Sequence, residues 1–372
     1  MSMQATACAM AGLKHSDAVE FIDSLCCLAV RHGASDIFLQ TERAPQFRIN
    51  GELVTIGEAV VQREELESLW AQCSAPPAAL DFDGSYVATD GTRFRVNLLH
   101  TLFRRGAVLR PIKTAIPALE TLGVPANLLA SWITRPFGLV LVTGPTGGGK
   151  STTLAACLDW LNQNYHRHIV TIEDPIEYLF TPAKCLFTQR EVSTDTDTFA
   201  EGLRRSLRQS PDVILLGEIR DSTSAITALQ AAETGHLVLA TLHSSNVLDS
   251  LERLSRLFEP GERESVLQLL AQLLIGIMCQ KLVPAQPDGR ALVVEHFENQ
   301  AVTRKWIGEG KFRELADFIG KGDNPANATF LESLITLINA GRITEATGLQ
   351  TATNPRELQR RMRGINSNSL QV

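Results

Sequence analysis

The sequence predicts an α/β fold: a domain built on a parallel-rich sheet, preceded by a smaller α+β domain. Three observations predict it. Short apolar-rich runs at Leu139–Val142, His168–Ile172, Val213–Leu216 and Leu237–Ala240 alternate with helical stretches. That is the pattern of parallel strands buried on both faces of a doubly wound sheet. Between Asp17 and about Pro111 the pattern differs, with one helical stretch followed by short strands and turn signals. The chain also has 372 residues, more than the roughly 250–300 at which single cores usually stop growing.

Taken in order, residues 1–14 are expected to be a flexible N-terminus, since Met1–Lys14 has no basic segment followed by an apolar run and so does not read as a signal peptide. The first domain is expected over 15–112. Ala18–Val30 places Phe21, Ile22, Leu25 and Leu28 at helical spacing, and Gly33 follows as a helix stop. Asp36–Leu39 and Gln46–Ile49 read as strands, with Asn50-Gly51 as a turn dipeptide, and Arg93–Asn97 and Ala107–Arg110 as further strands. Residues 113–125 hold two prolines and a glycine and read as a linker. The second domain is expected over 126–360, ending in helices. Leu248, Leu251, Leu254, Leu257 and Phe258 form one apolar stripe, and Val266–Leu282 reads as a longer helical stretch. A flexible tail is expected over 361–372, polar from Asn366 to Val372.

Composition narrows the function classes. Hydrophobic residues make up 44% and charged residues 20%, a globular balance, and the net charge of -6 gives no support to nucleic-acid binding. The most apolar stretch, Leu269–Cys279, is interrupted by Gln272 and falls short of the ~20 residues a membrane span needs, so no membrane insertion is expected. None of the seven cysteines forms a C-x-x-C pair, which argues against structural zinc and fits a reduced, cytoplasmic protein.

Gly144-Pro145-Thr146-Gly147-Gly148-Gly149-Lys150-Ser151 is a complete Walker A motif, followed by Thr152. Phosphates need backbone wrapped closely around them with amide hydrogens pointing inward. Glycines permit that approach, and the N-terminus of the following helix adds partial positive charge. A strand precedes the loop, and Leu154, Leu158 and Leu161 mark one face of a helix after it, so the context fits an ATP site. Lys150 is placed to reach the β- and γ-phosphates, and the Ser151 hydroxyl to ligate Mg²⁺.

A phosphate clamp alone hydrolyses nothing; groups must also position the metal and the attacking water. Glu173, Asp174 and Glu177 follow one strand and Glu218 follows another. The carboxyl ends of adjacent parallel strands converge on the crevice that holds such a loop. His236 and His243 bracket the strand Leu237–Leu242, and an imidazole at its end can donate a hydrogen bond to the γ-phosphate.

These segments resemble a known family. Gly144–Thr153, Thr171–Glu177, Gly217–Asp221 and Gly235–His243 are similar, in order, to the Walker A, Asp box, Walker B and His box of the type II/type IV secretion ATPase superfamily. Within it the chain looks most like the PilT-type pilus retraction ATPases, and Ala34–Asp36, Arg48–Gly51 and Arg93–Asn97 extend the likeness into the first domain. The resemblance implies a PAS-like first domain, a RecA-like second domain and a homo-hexameric ring. It implies that Glu177 polarises the attacking water, that Glu218 holds Mg²⁺, and that His236 and His243 are the His-box pair. It also brings arginines of the first domain, Arg93, Arg95 and Arg110, towards the phosphates.

The function so implied is a cytoplasmic ATPase that drives type IV pilus retraction from the inner-membrane face, acting on a platform protein. The chain lacks a tetracysteine insert and a large N-terminal extension, which favours the retraction branch. One segment departs from that branch: Val302–Glu309 keeps Arg304, Ile307 and Glu309 of the retraction motif but has Gly308 at its second arginine. An accessory pilus ATPase and a secretion or conjugation ATPase are the alternatives within the superfamily. A non-hydrolysing nucleotide-binding regulator and a DNA-handling ATPase are alternatives of another class.

Overall fold

A computed structural model describes residues 18–363 other than Asn50, Pro77, Leu102, Phe103, Gly322 and Asp323. The expected flexible N-terminus, the polar tail Asn366–Val372 and Asn50 of the expected turn lie outside the described residues. The chain divides into two compact units, Met1–Thr114 and Ala115–Val372.

The first unit comprises α1 (Ala18–Arg31), β1 (Asp36–Gln40), β2 (Gln46–Ile49), β3 (Glu52–Thr55), α2 (Arg63–Gln72), β4 (Asp81–Val87), β5 (Arg93–Thr101) and β6 (Arg104–Pro111). Its sheet has the order β3-β2-β1-β6-β5-β4 and pairs antiparallel throughout. Strand residues alternate as a half-covered sheet requires: Phe94, Val96 and Leu98 are buried with Phe21, Leu25 and Trp70 of the helices, while Arg93, Arg95 and Asn97 lie on the other face. Gly33 ends α1 in the left-handed region (φ +64°), where a side chain would be strained.

The second unit carries α3 (Ala126–Ile133), β7 (Gly138–Thr143), α4 (Lys150–Asn164), β8 (His168–Glu173), β9 (Leu186–Glu191), α5 (Phe199–Ser206), β10 (Val213–Leu216), α6 (Ser222–Glu233) and β11 (Leu237–Leu242). After these come α7 (Val247–Arg256), α8 (Arg263–Leu273), β12 (Leu274–Pro284), β13 (Arg290–Glu298) and the helices α9 (Ala301–Gly308), α10 (Phe312–Gly320), α11 (Phe330–Asn339), α12 (Glu345–Thr351) and α13 (Pro355–Met362). The seven-stranded sheet has the order β13-β12-β7-β11-β10-β8-β9, parallel except for the edge strand β13. Leu154, Leu158 and Leu161 of α4 cover one face with Val140, Val142 and Leu239. Residues of α5 to α8, among them Leu203, Ala228, Leu251 and Leu270, cover the other face with Leu141, Ile214 and Val238. Burial on both faces explains why these strands read as unbroken apolar runs.

One expectation fails. Val266–Leu282 is not a single helix: α8 stops at Leu273 and the chain continues as β12, inserted between β7 and β13. Residues Leu274–Gln280 are buried on both faces, so the run has no amphipathic period, and an apolar run of that length suits a buried strand and a buried helix equally. β7 and β13 supply ladder partners on both sides, and at Gly276 a Cβ would lie 2.5 Å from the Trp132 ring. Leu119 and Val124, in the expected linker, are buried in the second unit's core, and α13 runs two residues beyond the expected start of the tail.

Candidate nucleotide-binding and hydrolysis site

The Gly144–Gly149 loop connects β7 to α4. Gly149 sits in the left-handed region (φ +88°) at the N-cap of α4 and supplies no side-chain cap, so the first-turn amides are left to an external acceptor. Gln280 of β12 buttresses the loop from beneath: its Nε2 donates to the Gly148 carbonyl at 2.8 Å, and its own backbone carbonyl packs where a Cβ of residue 144 would be. A Cβ at Gly148 would lie 2.9 Å from the Pro145 carbonyl, so the loop in this conformation is shaped for glycine there. Lys150 is buried, and its Nζ donates to the carbonyls of Gly144 and Pro145 at 3.0 Å each. Burial pushes its pKa down, while the charges of Glu218 and Glu177 pull it up. Both carboxylates therefore act on the Lys150 ammonium. Ser151 lies in the first turn of α4, and the Thr152 hydroxyl meets the Tyr178 hydroxyl at 2.8 Å.

Glu218 stands just beyond β10. Its Oε1 lies 3.3 Å from His243 Nε2, and its Oε2 accepts from Arg220 Nε at 2.7 Å. Arg220 also reaches Asp174 at 3.2 Å, so one guanidinium ties the turns after β8 and β10 together. His243, at the carboxyl end of β11, turns its other nitrogen to the Thr146 hydroxyl of the loop at 3.4 Å. A carboxylate at Nε2 favours the proton there, which leaves Nδ1 as the acceptor. Burial lowers the His243 pKa, and Lys150 lowers it further against the opposing pull of Glu218. The imidazole is thus neutral at neutral pH, a polar contact between loop and carboxylate.

Glu177 is exposed, in the irregular segment between β8 and β9. Glu173, at the end of β8, is different in kind: burial pushes its carboxyl up to about 7, and hydrogen bonding from Gln189 and the Glu177 amide opposes that rise.

His236 stands apart from His243, and the three expected arginines belong to the first unit. His236 precedes β11 and lies next to the Ala231 carbonyl at 3.0 Å. It is separated from His243 by the six residues of β11, a span of about 20 Å at strand rise. The two histidines therefore do not meet at one phosphate site in this chain. Arg110 is held by Asp36 at 2.6 Å on the outer face of the first unit's sheet, and Arg95 is its cross-strand partner. Arg93 lies two residues before Arg95 on the same strand.

Gln280, Arg220, Tyr178 and Gln189 bear on the site and are not identified as such from sequence. For Gln280 the available signal is a lone amide in a fully buried strand, hidden because β12 reads as helix. For Gln189 there is no sequence signal, because β9 alternates no apolar pattern.

A model of the Type II/IV secretion system protein family matches residues 13–312. An uncharacterised protein, YggR, of Escherichia coli K12 is 37% identical over 87% of this chain and 99% of its own length. The type IV pilus retraction ATPase PilT of Pseudomonas aeruginosa is 36% identical over 90% of this chain and 98% of its own. The crystal structure of the pilus retraction motor PilT with bound ADP superposes with a TM-score of 0.84 at 35% identity, covering 91% of this chain and 99% of that one.

Proposed function

We propose that this chain, which belongs to the type II/IV secretion system protein family, is a motor ATPase of the pilus-retraction type. The observation that carries the reading is the junction of Glu218, His243 and Thr146, which links the ends of two other strands to the glycine loop. ATP phosphates rest in the Gly144–Thr152 loop on the backbone amides that follow Pro145, with Lys150 and the α4 N-terminus compensating their charge. Glu177 orients the attacking water and takes its proton. His243 responds to the γ-phosphate through its contacts with Thr146 and Glu218.

Mg²⁺ fits this donor set. Among the described residues no cluster of three or more His, Cys, Asp or Glu could hold a metal ion. That suits an ion bound by one or two protein groups with phosphates and waters completing its shell. The Ser151 hydroxyl and Glu218 would hold it, and it would neutralise charge on the transferring phosphoryl group.

No described helix is long and apolar enough to cross a membrane. The motor works at the cytoplasmic face of the inner membrane, on a platform protein. The ring is a homo-hexamer, in which Arg93, Arg95 and Arg110 serve a neighbouring subunit's nucleotide. An accessory or secretion role is favoured by one feature. Gly308 is buried, with Gln268 Nε2 donating to its carbonyl at 3.2 Å, and a Cβ there would come 2.9 Å from Gln268. An arginine there, as in the retraction motif, would displace the Gln268 amide from the Gly308 carbonyl.

The test is steady-state ATP hydrolysis with solution size, for the native sequence and Glu177→Gln. Turnover by a six-subunit species, lost in the variant while nucleotide binding persists, is the expected result. ATP binding without turnover in both proteins would instead support a nucleotide-binding regulator.

A further inference from the structure

The backbone of the segment Asp174–Cys185, which carries Glu177, is held at successive points by side chains. The Ile176 amide donates to Glu191 Oε2 at 3.1 Å. Gln189 uses both ends of its amide: Nε2 donates to the Tyr178 carbonyl at 2.8 Å, and Oε1 accepts from the Phe180 amide at 3.1 Å. Further along, buried Asn162 of α4 accepts from the Ala183 and Cys185 amides at 2.9 and 3.2 Å and donates to the Thr181 carbonyl at 2.9 Å. The residues on either side of Glu177 are therefore fixed from β9, and Tyr178 is tied to Thr152 in the first turn of the phosphate-binding helix.

Gln189 imitates an edge strand. Its amide donor and acceptor engage the Tyr178 carbonyl and the Phe180 amide as the backbone of a neighbouring strand would. β9 itself is anchored in parallel register on β8. The frame from which Glu177 projects is thus the same sheet that delivers Glu218.

We propose that Gln189 and Glu191 are positioning residues for ATP hydrolysis: they set the backbone on both sides of Glu177 so that its carboxylate meets the attacking water. The inference rests on the reading of Glu177 given above. Reaction rate is steep in such placement, since a misplacement of about 1 Å can cost on the order of 100-fold. Nucleotide affinity comes from the Gly144–Thr152 loop and is not expected to follow.

The test uses full-length protein and reads kcat, ATP affinity and melting temperature. Gln189→Met keeps the length and removes the hydrogen bonds to Tyr178 and Phe180, along with that to Glu173; kcat is expected to fall about 10- to 100-fold with ATP affinity unchanged within about threefold. Glu191→Leu should act similarly, whereas Glu191→Gln keeps an acceptor for the Ile176 amide and should restore most of the rate. Combined with Glu177→Gln, neither loss should slow the reaction further, because residues acting through one group are not additive. Native-like kcat in Gln189→Met and Glu191→Leu, with Glu177→Gln inactive, would overturn the positioning proposal. Native-like kcat in Glu177→Gln would overturn the Glu177 reading itself. If Gln189→Met does not fold, the Glu191→Leu and Glu191→Gln pair decides alone.

Discussion

At the scale of single residues, the carboxylates of this site differ by environment more than by type. Glu218 is drawn into contacts with Arg220 and His243, and Glu177 projects from an exposed segment. Glu173 is half-buried at the end of β8, with one oxygen buried and unpartnered. Its pKa, raised from 4.5 to about 7 by burial, makes it a source of pH-dependent stability. A carboxyl whose folded pKa lies above its unfolded one contributes stability fully below the unfolded value and loses it as pH rises through the folded one. Between about pH 4.5 and 7 the native sequence should therefore lose up to about 3 kcal/mol relative to Glu173→Gln. Melting temperatures of the two proteins across that range measure the gap, and parallel pH profiles would remove Glu173 from the buried, protonated state. That Glu173 and Glu177 both follow a strand is legible in the sequence. Which is half-buried and which is exposed is not, because burial depends on β9 and the segment that folds back over it.

At the scale of elements, the loop and its flanks follow from local chemistry. Leu139–Val142 alternates with nothing, the glycines come in a phosphate-binding order, and α4 repeats leucine at helical spacing; each is decided within a few residues. β12 is not. Its sequence, Leu274–Pro284, becomes a strand because β7 and β13 offer hydrogen-bond partners on both sides and the Trp132 ring packs against Gly276. Gly276→Ala should thus force overpacking and cost about 1–3 kcal/mol, read as a lower melting temperature. An unchanged melt would mean that Trp132 moves aside freely. The same strand places Gln280 under the phosphate loop, so misreading the element conceals the residue.

At the scale of the whole molecule, the question is which chain completes which site. Arg48, Asp36, Arg110 and Arg95 occupy one row across β2, β1, β6 and β5. Asp36 holds Arg110 at 2.6 Å and approaches Arg48 at 3.6 Å. Arg95 is the member of the row we would test for action across subunits. In a ring where it serves a neighbour, mixed Arg95→Ala and Glu177→Gln subunits form some sites with both native residues. Hydrolysis should then recover on mixing two weakly active proteins that exchange subunits. If Arg95 serves its own chain, every mixed site lacks one residue and no recovery follows.

By itself the sequence determined the elements whose signals are local: the α/β class, the four apolar strand runs, the glycine loop and the order of the four boxes. Those depend on side-chain period, glycine conformation and residues close along the chain. Only the tertiary structure decided that His243 joins Glu218 to Thr146, that β12 is a strand, and that β9 clamps the segment bearing Glu177. Each of these depends on partners far away in sequence. Hydrogen bonds and burial supplied by distant strands leave no periodic trace in the residues they govern.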